Sequence, residues 1–245
     1  MPKVYLSPSD QSRNTYAAGG TNEQEQCRRI SAALETALLR CGFQVLNGLT
    51  GSMQERVNES NAWEADLHLP IHTNAYNGQV SGTRIFSYDL SGEGYRAAQS
   101  VFAALAPVTP GNSESITPRP ELYEVRASNA PCVYVEVDFH DVAEVALWII
   151  RNTIPIAEAI CRGICNYFGV VYKNGEEELE MRYNTLGDLK NDQNNAPYYL
   201  PTIEKLLAKG FLTGKGGEGD GLILDLSEDA VRILVIHDRA GLYGD

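Results

Sequence analysis

Three residues that lie far apart in the chain, Glu23, His72 and Glu136, could together perform metal-assisted hydrolysis. Zinc binds histidine nitrogen and carboxylate oxygen, and a catalytic zinc site leaves one position for water. The metal lowers the pKa of that water, and a nearby carboxylate can accept its proton and later hand it to a leaving amine. A histidine and a carboxylate as ligands, with a second carboxylate beside them, therefore suit a zinc hydrolase.

The stretch around His72 has the pattern of a buried strand that runs into a polar turn. Apolar and polar residues alternate over 66–72, which places the apolar side chains on one face and His72 on the other. Functional groups of α/β proteins gather just past the carboxyl ends of strands, and His72, Thr73 and Asn74 fall there. A lone histidine at a strand end is more often structural, so its interpretation as a ligand depends on the other candidates.

Glu136 is the one charge in a near-continuous apolar run, Cys132–Val137, of the kind that buried parallel strands show. A buried carboxylate is costly unless it is paired, bound to metal or placed at the end of the strand for chemistry. We predict that Glu136 ends this strand. A salt bridge or solvation at the strand end is the alternative interpretation.

The order of the predicted elements indicates an α/β fold with a mostly parallel sheet flanked by helices. A strand at Val4–Leu6, a helix that begins with a capping box at Thr21–Gln24 and stops at Gly42, and a strand at Phe43–Leu46 form a βαβ unit. The other predicted elements are helices at Met53–Trp63, Gly94–Leu105, Val142–Ile150 and Ile154–Phe168, a strand at Thr83–Tyr88 and an exposed loop at Pro107–Pro120.

Two domains are predicted. Residues 1–169 form a catalytic domain, 170–182 a polar linker and 183–245 a small helical module. The module should contain two amphipathic helices, Tyr198–Lys209 and Leu226–Ala240, around a glycine-rich loop at 214–219. That loop lacks the ending of a phosphate-binding loop, so we interpret it as a turn.

The charge of the chain excludes several classes of partner. The net charge of −12 and the pI near 4.8 argue against nucleic acid and against electrostatic attachment to an anionic membrane, because both need clustered Lys and Arg. No stretch approaches the roughly 18 apolar residues of a membrane span. The N-terminal residues show no signal-peptide pattern, which predicts synthesis in the cytoplasm.

The five cysteines are odd in number, and each lies among apolar residues of a predicted helix or strand. This pattern predicts reduced thiols packed in the core of a protein made in a cytosol. Cys161 and Cys165 are four residues apart on one helix face, but two thiols without a partner pair make a poor zinc site. We therefore expect both to serve core packing.

Four segments, in this order and with this secondary structure, resemble a known family: Leu6–Gln11, Thr21–Glu23 at the head of a helix that closes with Cys41–Val45, Ile71–Ala75, and Ala130–Phe139. The family is the zinc-dependent N-acetylmuramoyl-L-alanine amidase catalytic domain of the amidase_3 type. Its pattern is a strand, a PGHGG-like turn, a helix that begins with a ligand Glu, a strand ending in SIHxN and a late strand with ExGF. The resemblance covers Val4 to about Gly169.

The resemblance implies zinc as cofactor and a role for each matching residue. Glu23 and His72 would be zinc ligands, and Glu136 the general base. The spacing from Glu23 to the end of its helix matches the family, which favours Glu23 as the ligand. Asn61 and Asn74 match positions that commonly shape the family's site, so we expect them to contact substrate.

The chain departs from the family at its first ligand. Where the family has a histidine, a match without gaps gives Asp10, and a one-residue insertion gives Gln11, which we slightly favour although Asp is the better ligand. His68 lies four strand residues from His72, about 13 Å away, so it is expected to be a core residue or a support for the site. His140 follows Glu136 closely and is a candidate for a ligand or a substrate contact, against a solvated loop histidine.

The tail, 183–245, resembles a short helical module that often follows such amidases in Clostridia-like bacteria and their phages. This implies cell-wall attachment or self-association into a homo-oligomer; a packing appendage without a ligand is the alternative.

The first functional hypothesis is a peptidoglycan amidase, a phage or prophage lysin that is made in the cytoplasm and acts on the cell wall after release. The second is a non-catalytic wall-binding protein with a degenerate metal site. A zinc peptidase of the carboxypeptidase kind would need an HxxE-like ligand pair, which the sequence lacks.

Overall fold

The computed structural model of the chain describes residues 1–175 and 182–244. The chain forms two compact units, Met1–Asn174 and Gly175–Asp245, and each is described by itself. The boundary between the units lies within the predicted linker, 170–182, of which residues 176–181 are outside the described part.

A six-stranded sheet forms the centre of the first unit, in the order β2-β1-β3-β6-β4-β5. Its strands are β1 (Lys3–Pro8), β2 (Gln44–Asn47), β3 (Leu67–Asn74), β4 (Arg84–Ser87), β5 (Ser115–Pro118) and β6 (Tyr134–Phe139). The pairs β1–β2, β1–β3, β3–β6 and β4–β5 are parallel, and only β4 and β6 pair antiparallel in this sheet as described. The predicted α/β class with a mainly parallel sheet is confirmed.

Helices cover both faces of this sheet. They are α1 (Glu23–Arg40), α2 (Met53–Ala62), α3 (Gly92–Leu105), α4 (Tyr123–Ala127), α5 (Ala143–Arg151) and α6 (Thr153–Phe168). Helices α1 and α3 each pack against α6, and the three bury the main apolar core on one face, while α2 and α4 contact each other. Among the described helices, none combines the length and the apolar composition that a membrane-spanning segment needs.

Helix α1 begins with a different cap from the predicted one. Asn22 is the N-cap, and its side chain accepts a hydrogen bond of 3.0 Å from the backbone N–H of Glu25. The predicted capping box of Thr21 and Gln24 is therefore wrong, because Thr21 instead donates to the Glu25 carboxylate. The short side chain of Asn22 suits this position, and it makes Glu23 the first residue of the helix.

The predicted loop at Pro107–Pro120 contains a strand. β5 pairs with β4 in parallel, with Ser115 opposite Arg84 and Thr117 opposite Phe86. The Pro- and Ser-rich composition hides two β-branched residues, Ile116 and Thr117, that fit a sheet edge. The sheet therefore extends one strand further beside the candidate site than the sequence predicted.

The second unit is not purely helical, in contrast to the prediction. It contains β7 (Arg182–Thr185), α7 (Leu186–Asn191), α8 (Ala196–Ala208), a 3₁₀ turn (Gly219–Gly221), β8 (Ile223–Ser227) and α9 (Glu228–Arg239). β7 and β8 pair antiparallel, so the start of the predicted helix Leu226–Ala240 is strand. Ser227 ends β8 and caps α9, since its hydroxyl accepts from the backbone N–H of Ala230.

Candidate active site

The carboxyl ends of β1 and β3, together with β6, bring the predicted site residues to one place. His72 of β3 lies opposite Glu136 of β6 in the parallel register. Gln11 follows β1, the other neighbour of β3, and Glu23 starts α1. The parallel arrangement gathers these ends at one edge of the sheet, as expected for an α/β protein.

Glu23 and His72 form a buried pair. Oε1 of Glu23 lies 2.7 Å from Nδ1 of His72, and both side chains are at most 8% exposed. Burial alone would raise the pKa of Glu23, but the hydrogen bond and charge of His72 lower it below its ordinary value. Burial alone would lower the pKa of His72, but the bond to Glu23 and the charge of Glu136 raise it.

Gln11 and Asn14 join Glu23 and His72 in a network of four side chains. Nε2 of Gln11 lies 3.3 Å from Nδ1 of His72. Nδ2 of Asn14 donates to Oε2 of Glu23 and to Oε1 of Gln11, at 2.7 Å in each case. Because a half-turn of the Gln11 amide exchanges its oxygen and nitrogen, the same position can present an oxygen ligand beside His72.

Asp10, the other candidate for the first ligand, faces elsewhere. Its Oδ2 lies 3.6 Å from Nη1 of Arg56, and its side chain is 52% exposed. The structure thus places Gln11, and not Asp10, beside His72.

The Oε2 atom of Glu136 is buried and has no hydrogen-bond partner within residues 1–175 and 182–244. Burial raises its pKa to about 7, with His72 lowering it and Glu23 raising it by smaller amounts. Glu136 is the third residue of β6 and does not end the strand as predicted, since the ladder continues to Phe139. A carboxylate that titrates near neutral pH can both accept and donate a proton.

His140 is buried, so it is not the solvated loop histidine of the alternative prediction. Among the described residues, it makes no hydrogen bond to Glu23 or His72. It is 3% exposed, and its Nδ1 lies 2.9 Å from the backbone oxygen of Thr73. Its ring stacks on Tyr16, whose hydroxyl donates to Oγ1 of Thr73. Burial lowers the pKa of His140, so the neutral ring is favoured. The residue anchors the end of β3 immediately after His72.

The two predicted substrate-contacting asparagines lie at different places. Asn74 ends β3 and lines a cleft beside the site, where its Oδ1 accepts from the N–H of Ala75. Asn61 donates to the backbone oxygen of Ala127 and accepts from the N–H of Asn129. It precedes the start of β3, and five strand residues separate that start from His72, about 16 Å. The structure does not bring Asn61 to the site.

His68 belongs to a second buried network on the same face of β3. Its Nε2 lies 3.3 Å from Glu124 and its Nδ1 lies 2.9 Å from Ser60. Ser7 donates to Glu124 at 2.5 Å and accepts from Nε of Arg56 at 3.0 Å. His68 is fully buried, which agrees with the first of its two predicted roles, a core residue.

Two residues of the site had no role in the sequence prediction. The ring of Tyr134 stacks on that of His72 with centroids 4.5 Å apart. Its place two residues before Glu136, on the same face of a strand, was a usable signal. Asn14 bridges Glu23 and Gln11 from a polar loop, where no spacing rule distinguishes it.

A cleft of about 380 Å³ lies next to β4 and the end of β3. Its lining includes Asn74, Arg84, Phe86, Arg119 and Phe139. Arg84 is opposite Glu136 in the antiparallel register, and the charge of Arg119 lowers the pKa of Glu136 slightly. Two guanidinium groups in a partly apolar cleft suit a ligand that carries carboxylates.

Solved amidase structures share this fold at low sequence identity. The catalytic domain of CwlV, an N-acetylmuramoyl-L-alanine amidase from Bacillus (Paenibacillus) polymyxa var. colistinus, is 18% identical with a TM-score of 0.64, over 70% of this chain and 100% of that chain. AmiC2 of Nostoc punctiforme is 23% identical, with a TM-score of 0.62, over 69% and 97%. The catalytic domain of the CD27L endolysin targeting Clostridia Difficile is 22% identical, with a TM-score of 0.56, over 68% and 98%.

Sequence comparison places the chain in a family. An uncharacterized 38.4 kDa protein of Clostridium perfringens is 24% identical over 190 residues, which is 73% of this chain and 54% of the relative. The chain thus spans about half the length of that protein. The model of the family Amidase_3, described as N-acetylmuramoyl-L-alanine amidase, matches residues 8–166 and so contains Gln11, Glu23, His72 and Glu136. Because this match covers more than half of the chain, the chain belongs to the Amidase_3 family.

Proposed function

We propose that the chain is a zinc-dependent hydrolase that cleaves the amide bond between the lactyl group of N-acetylmuramic acid and L-alanine in peptidoglycan. The observation that carries this proposal is the convergence of Gln11, Glu23 and His72 beside Glu136, whose buried Oε2 has no described partner. Family membership supports the same reaction.

The donor set fits a zinc ion. Nδ1 of His72 and Oε1 of Glu23 lie 2.7 Å apart, and Nε2 of the Gln11 amide lies 3.3 Å from the same nitrogen. Turning that amide would bring its oxygen towards these two ligand atoms. Imidazole nitrogen and carboxylate oxygen are ordinary zinc ligands, and an amide oxygen is a weaker one. When bound, zinc would polarise the amide carbonyl and lower the pKa of water at the site.

The residues of the chain have distinct roles in the proposed hydrolysis. Glu136 takes a proton from the water that attacks the carbonyl carbon, and it gives that proton to the alanine nitrogen as the C–N bond breaks. Its pKa of about 7 suits both transfers near neutral pH. Asn14 holds the Gln11 and Glu23 side chains in place, and Tyr134 fixes the plane of the His72 ring. Arg84 and Arg119 bind carboxylates of the stem peptide.

The proposed biological role is cell-wall degradation, as in an endolysin or autolysin, with bacterial peptidoglycan as the partner. The likeness in fold to the catalytic domain of an endolysin supports this context. We further propose that the second unit, Gly175–Asp245, attaches the enzyme to the wall or associates with a second copy. Exposed apolar side chains on that unit, Phe211, Ile233 and Ile236, are available for such contacts.

Zinc content per chain tests the metal centre. Wild type and the His72→Ala variant are purified in parallel and analysed for bound zinc. We expect His72→Ala to hold one zinc fewer than wild type, because it loses the buried imidazole ligand. The matched control is His237→Ala, which removes an exposed histidine of the second unit and should leave the zinc content unchanged. Equal zinc content in wild type and His72→Ala would refute the proposed centre.

A non-catalytic wall-binding protein is the second candidate. It is favoured by one observation, that the side chain beside His72 is the amide of Gln11, where the resemblance implies a ligand histidine, and an amide binds the metal more weakly. This candidate predicts that the chain sediments with isolated walls without releasing new amino termini or free lactyl groups. Release of either product, abolished by Glu136→Gln, would exclude it.

A further inference from the structure

Three cysteines from two elements meet in the core, away from the candidate active site. Cys41 caps the C-terminal end of α1, and Cys161 and Cys165 lie one turn apart on α6. The three Sγ atoms all lie within 4.8 Å of one another, and Sγ of Cys41 is 3.8 Å from Sγ of Cys161. Helix α1 has 18 residues, about 27 Å, which separates this cluster from Glu23 at its other end.

A backbone N–H donor and an arginine lie at the cluster. The backbone N–H of Lys173 donates to Sγ of Cys41 at 3.3 Å, and Arg40 lies beside the cluster, where it bonds Lys173 and Glu158. The hydrogen bond with Cys161 lowers the pKa of Cys165 to about 7, whereas burial raises the pKa of Cys41 and the hydrogen bond with Cys165 raises that of Cys161. A metal site is therefore supported by the distances between the three sulfur atoms.

Core packing does not by itself require the three thiols to converge. Cys27 and Cys132 are equally buried and lie apart from the cluster, in keeping with simple packing. Among the His, Cys, Asp and Glu side chains of the described residues, this cluster is the one group of three whose ligand atoms lie within 4.8 Å of one another. Sulfur atoms at these separations, without a disulfide, match the ligand chemistry of a soft metal ion.

We propose that Cys41, Cys161 and Cys165 form a structural site for a thiophilic metal ion of the Zn²⁺ class, independent of the proposed catalytic zinc. As each sulfur binds the cation, its thiol proton passes to solvent. Three thiolates and a divalent cation leave one net negative charge, next to the Arg40–Glu158 ion pair. The site would fasten the end of α1 and the segment at Lys173 to α6, and so stabilise the first unit.

The test uses Cd²⁺ as a probe, because Cd²⁺ bound to thiolates gives an ultraviolet charge-transfer band that oxygen and nitrogen ligands do not. The full-length chain carries His72→Ala, which removes the proposed catalytic centre, and is kept reduced with a phosphine. Cd²⁺ is titrated into this variant, into His72→Ala/Cys161→Ser and into the matched control His72→Ala/Cys132→Ser. Thermal unfolding is followed with and without Cd²⁺.

We expect one Cd²⁺ per chain, with the thiolate band and a raised unfolding temperature, in His72→Ala and in the Cys132→Ser control. Cys161→Ser should weaken Cd²⁺ binding by at least about tenfold and remove the rise in unfolding temperature. Absence of the band in His72→Ala, or an unchanged band after Cys161→Ser, would overturn the proposal. If Cys161→Ser fails to fold, the first variant alone decides. None of these outcomes depends on whether the chain is an amidase.

Discussion

At the scale of single residues, the site is defined by which side chain faces Nδ1 of His72. Glu23 approaches it at 2.7 Å and Gln11 at 3.3 Å, while Asp10 points to Arg56. A neutral amide is a weaker zinc ligand than imidazole or carboxylate. The chain should therefore hold its proposed zinc less tightly than a family member with a histidine at this position.

The Gln11→His variant tests this assignment. We expect Gln11→His to tighten zinc binding by at least about tenfold, because imidazole replaces a weak amide ligand at the same position. Competition with a chromogenic chelator measures the affinity. Asp10→His is the control, since that side chain faces Arg56, and it should change the affinity little. Tighter binding in Asp10→His than in Gln11→His would show that the register of this turn is wrong.

The buried neutral His140 predicts a pH dependence of stability. Its pKa is lowered in the folded state, so below about pH 6.5 the unfolded chain binds a proton that the folded chain does not. The contribution of His140 to the free energy of unfolding is therefore complete above its pKa in the unfolded chain. That contribution is lost as the pH falls towards its lower pKa in the folded chain. Urea unfolding of metal-free protein between about pH 7.5 and about pH 5.5 measures it.

The matched variant for this measurement is His140→Gln, which cannot titrate. Its stability should decline less than that of wild type over the same range, whatever the other groups contribute, because their titration is common to both proteins. A decline as steep in the variant as in wild type would show that His140 does not contribute.

At the scale of elements, α1 positions two features at its opposite ends. Its N-cap Asn22 places Glu23 in the first turn beside His72, and its C-cap Cys41 reaches the sulfur cluster. Five apolar residues between them, Cys27, Ile30, Leu34, Ala37 and Leu38, are fully buried and hold the helix against the sheet and α6. The start of the helix therefore matters to the site as well as to stability.

Asn22→Ala tests the role of the cap. We expect a loss of about 0.5–2 kcal/mol in the free energy of unfolding, because the N–H of Glu25 loses its partner. Zinc affinity should fall too, since the first turn carries Glu23. Asn58→Ala, at an exposed position inside α2, is the control and should stay within about 0.5 kcal/mol of wild type in urea unfolding. Equal effects of the two substitutions would contradict the capping role.

The sequence predicted those parts of the fold and site that follow from local pattern. Glu23 at a helix start, His72 at a strand end and Glu136 in an apolar strand could be assembled because parallel strands align their carboxyl ends. The placement of Asn61 failed because its position along the chain before β3 says nothing about which end of the strand it reaches. β5 was missed because its two β-branched residues lie within a loop-like composition.

The contacts that the sequence did not predict join residues that lie far apart in the chain. The stacking of His140 on Tyr16 and the bridge that Asn14 makes come from loops, whose contacts no periodicity encodes. Cys41 lies 120 residues before Cys161, so the sequence showed a pair of thiols on α6 and not a cluster of three. The cap of α1 was placed one residue early, since Thr21 and Asn22 are both good capping residues.

At the scale of the whole molecule, the chain combines an Amidase_3 unit with a second small unit of mixed helix and strand. Because the chain is acidic, with a net charge of −12, the proposed wall binding would rest on specific contacts, including the arginines of the cleft, rather than on net attraction. The central claim is that the first unit hydrolyses one defined amide of peptidoglycan.

The measurement that tests this claim most directly is the release of new L-alanine amino termini from isolated cell walls, by wild type and by Glu136→Gln, each loaded with zinc. We predict that wild type generates amino-terminal alanine, that Glu136→Gln is slower by about 10²- to 10⁴-fold because it cannot take the proton from water, and that both bind the same amount of zinc. No new amino-terminal alanine from zinc-loaded wild type, or full activity in Glu136→Gln, would contradict the account.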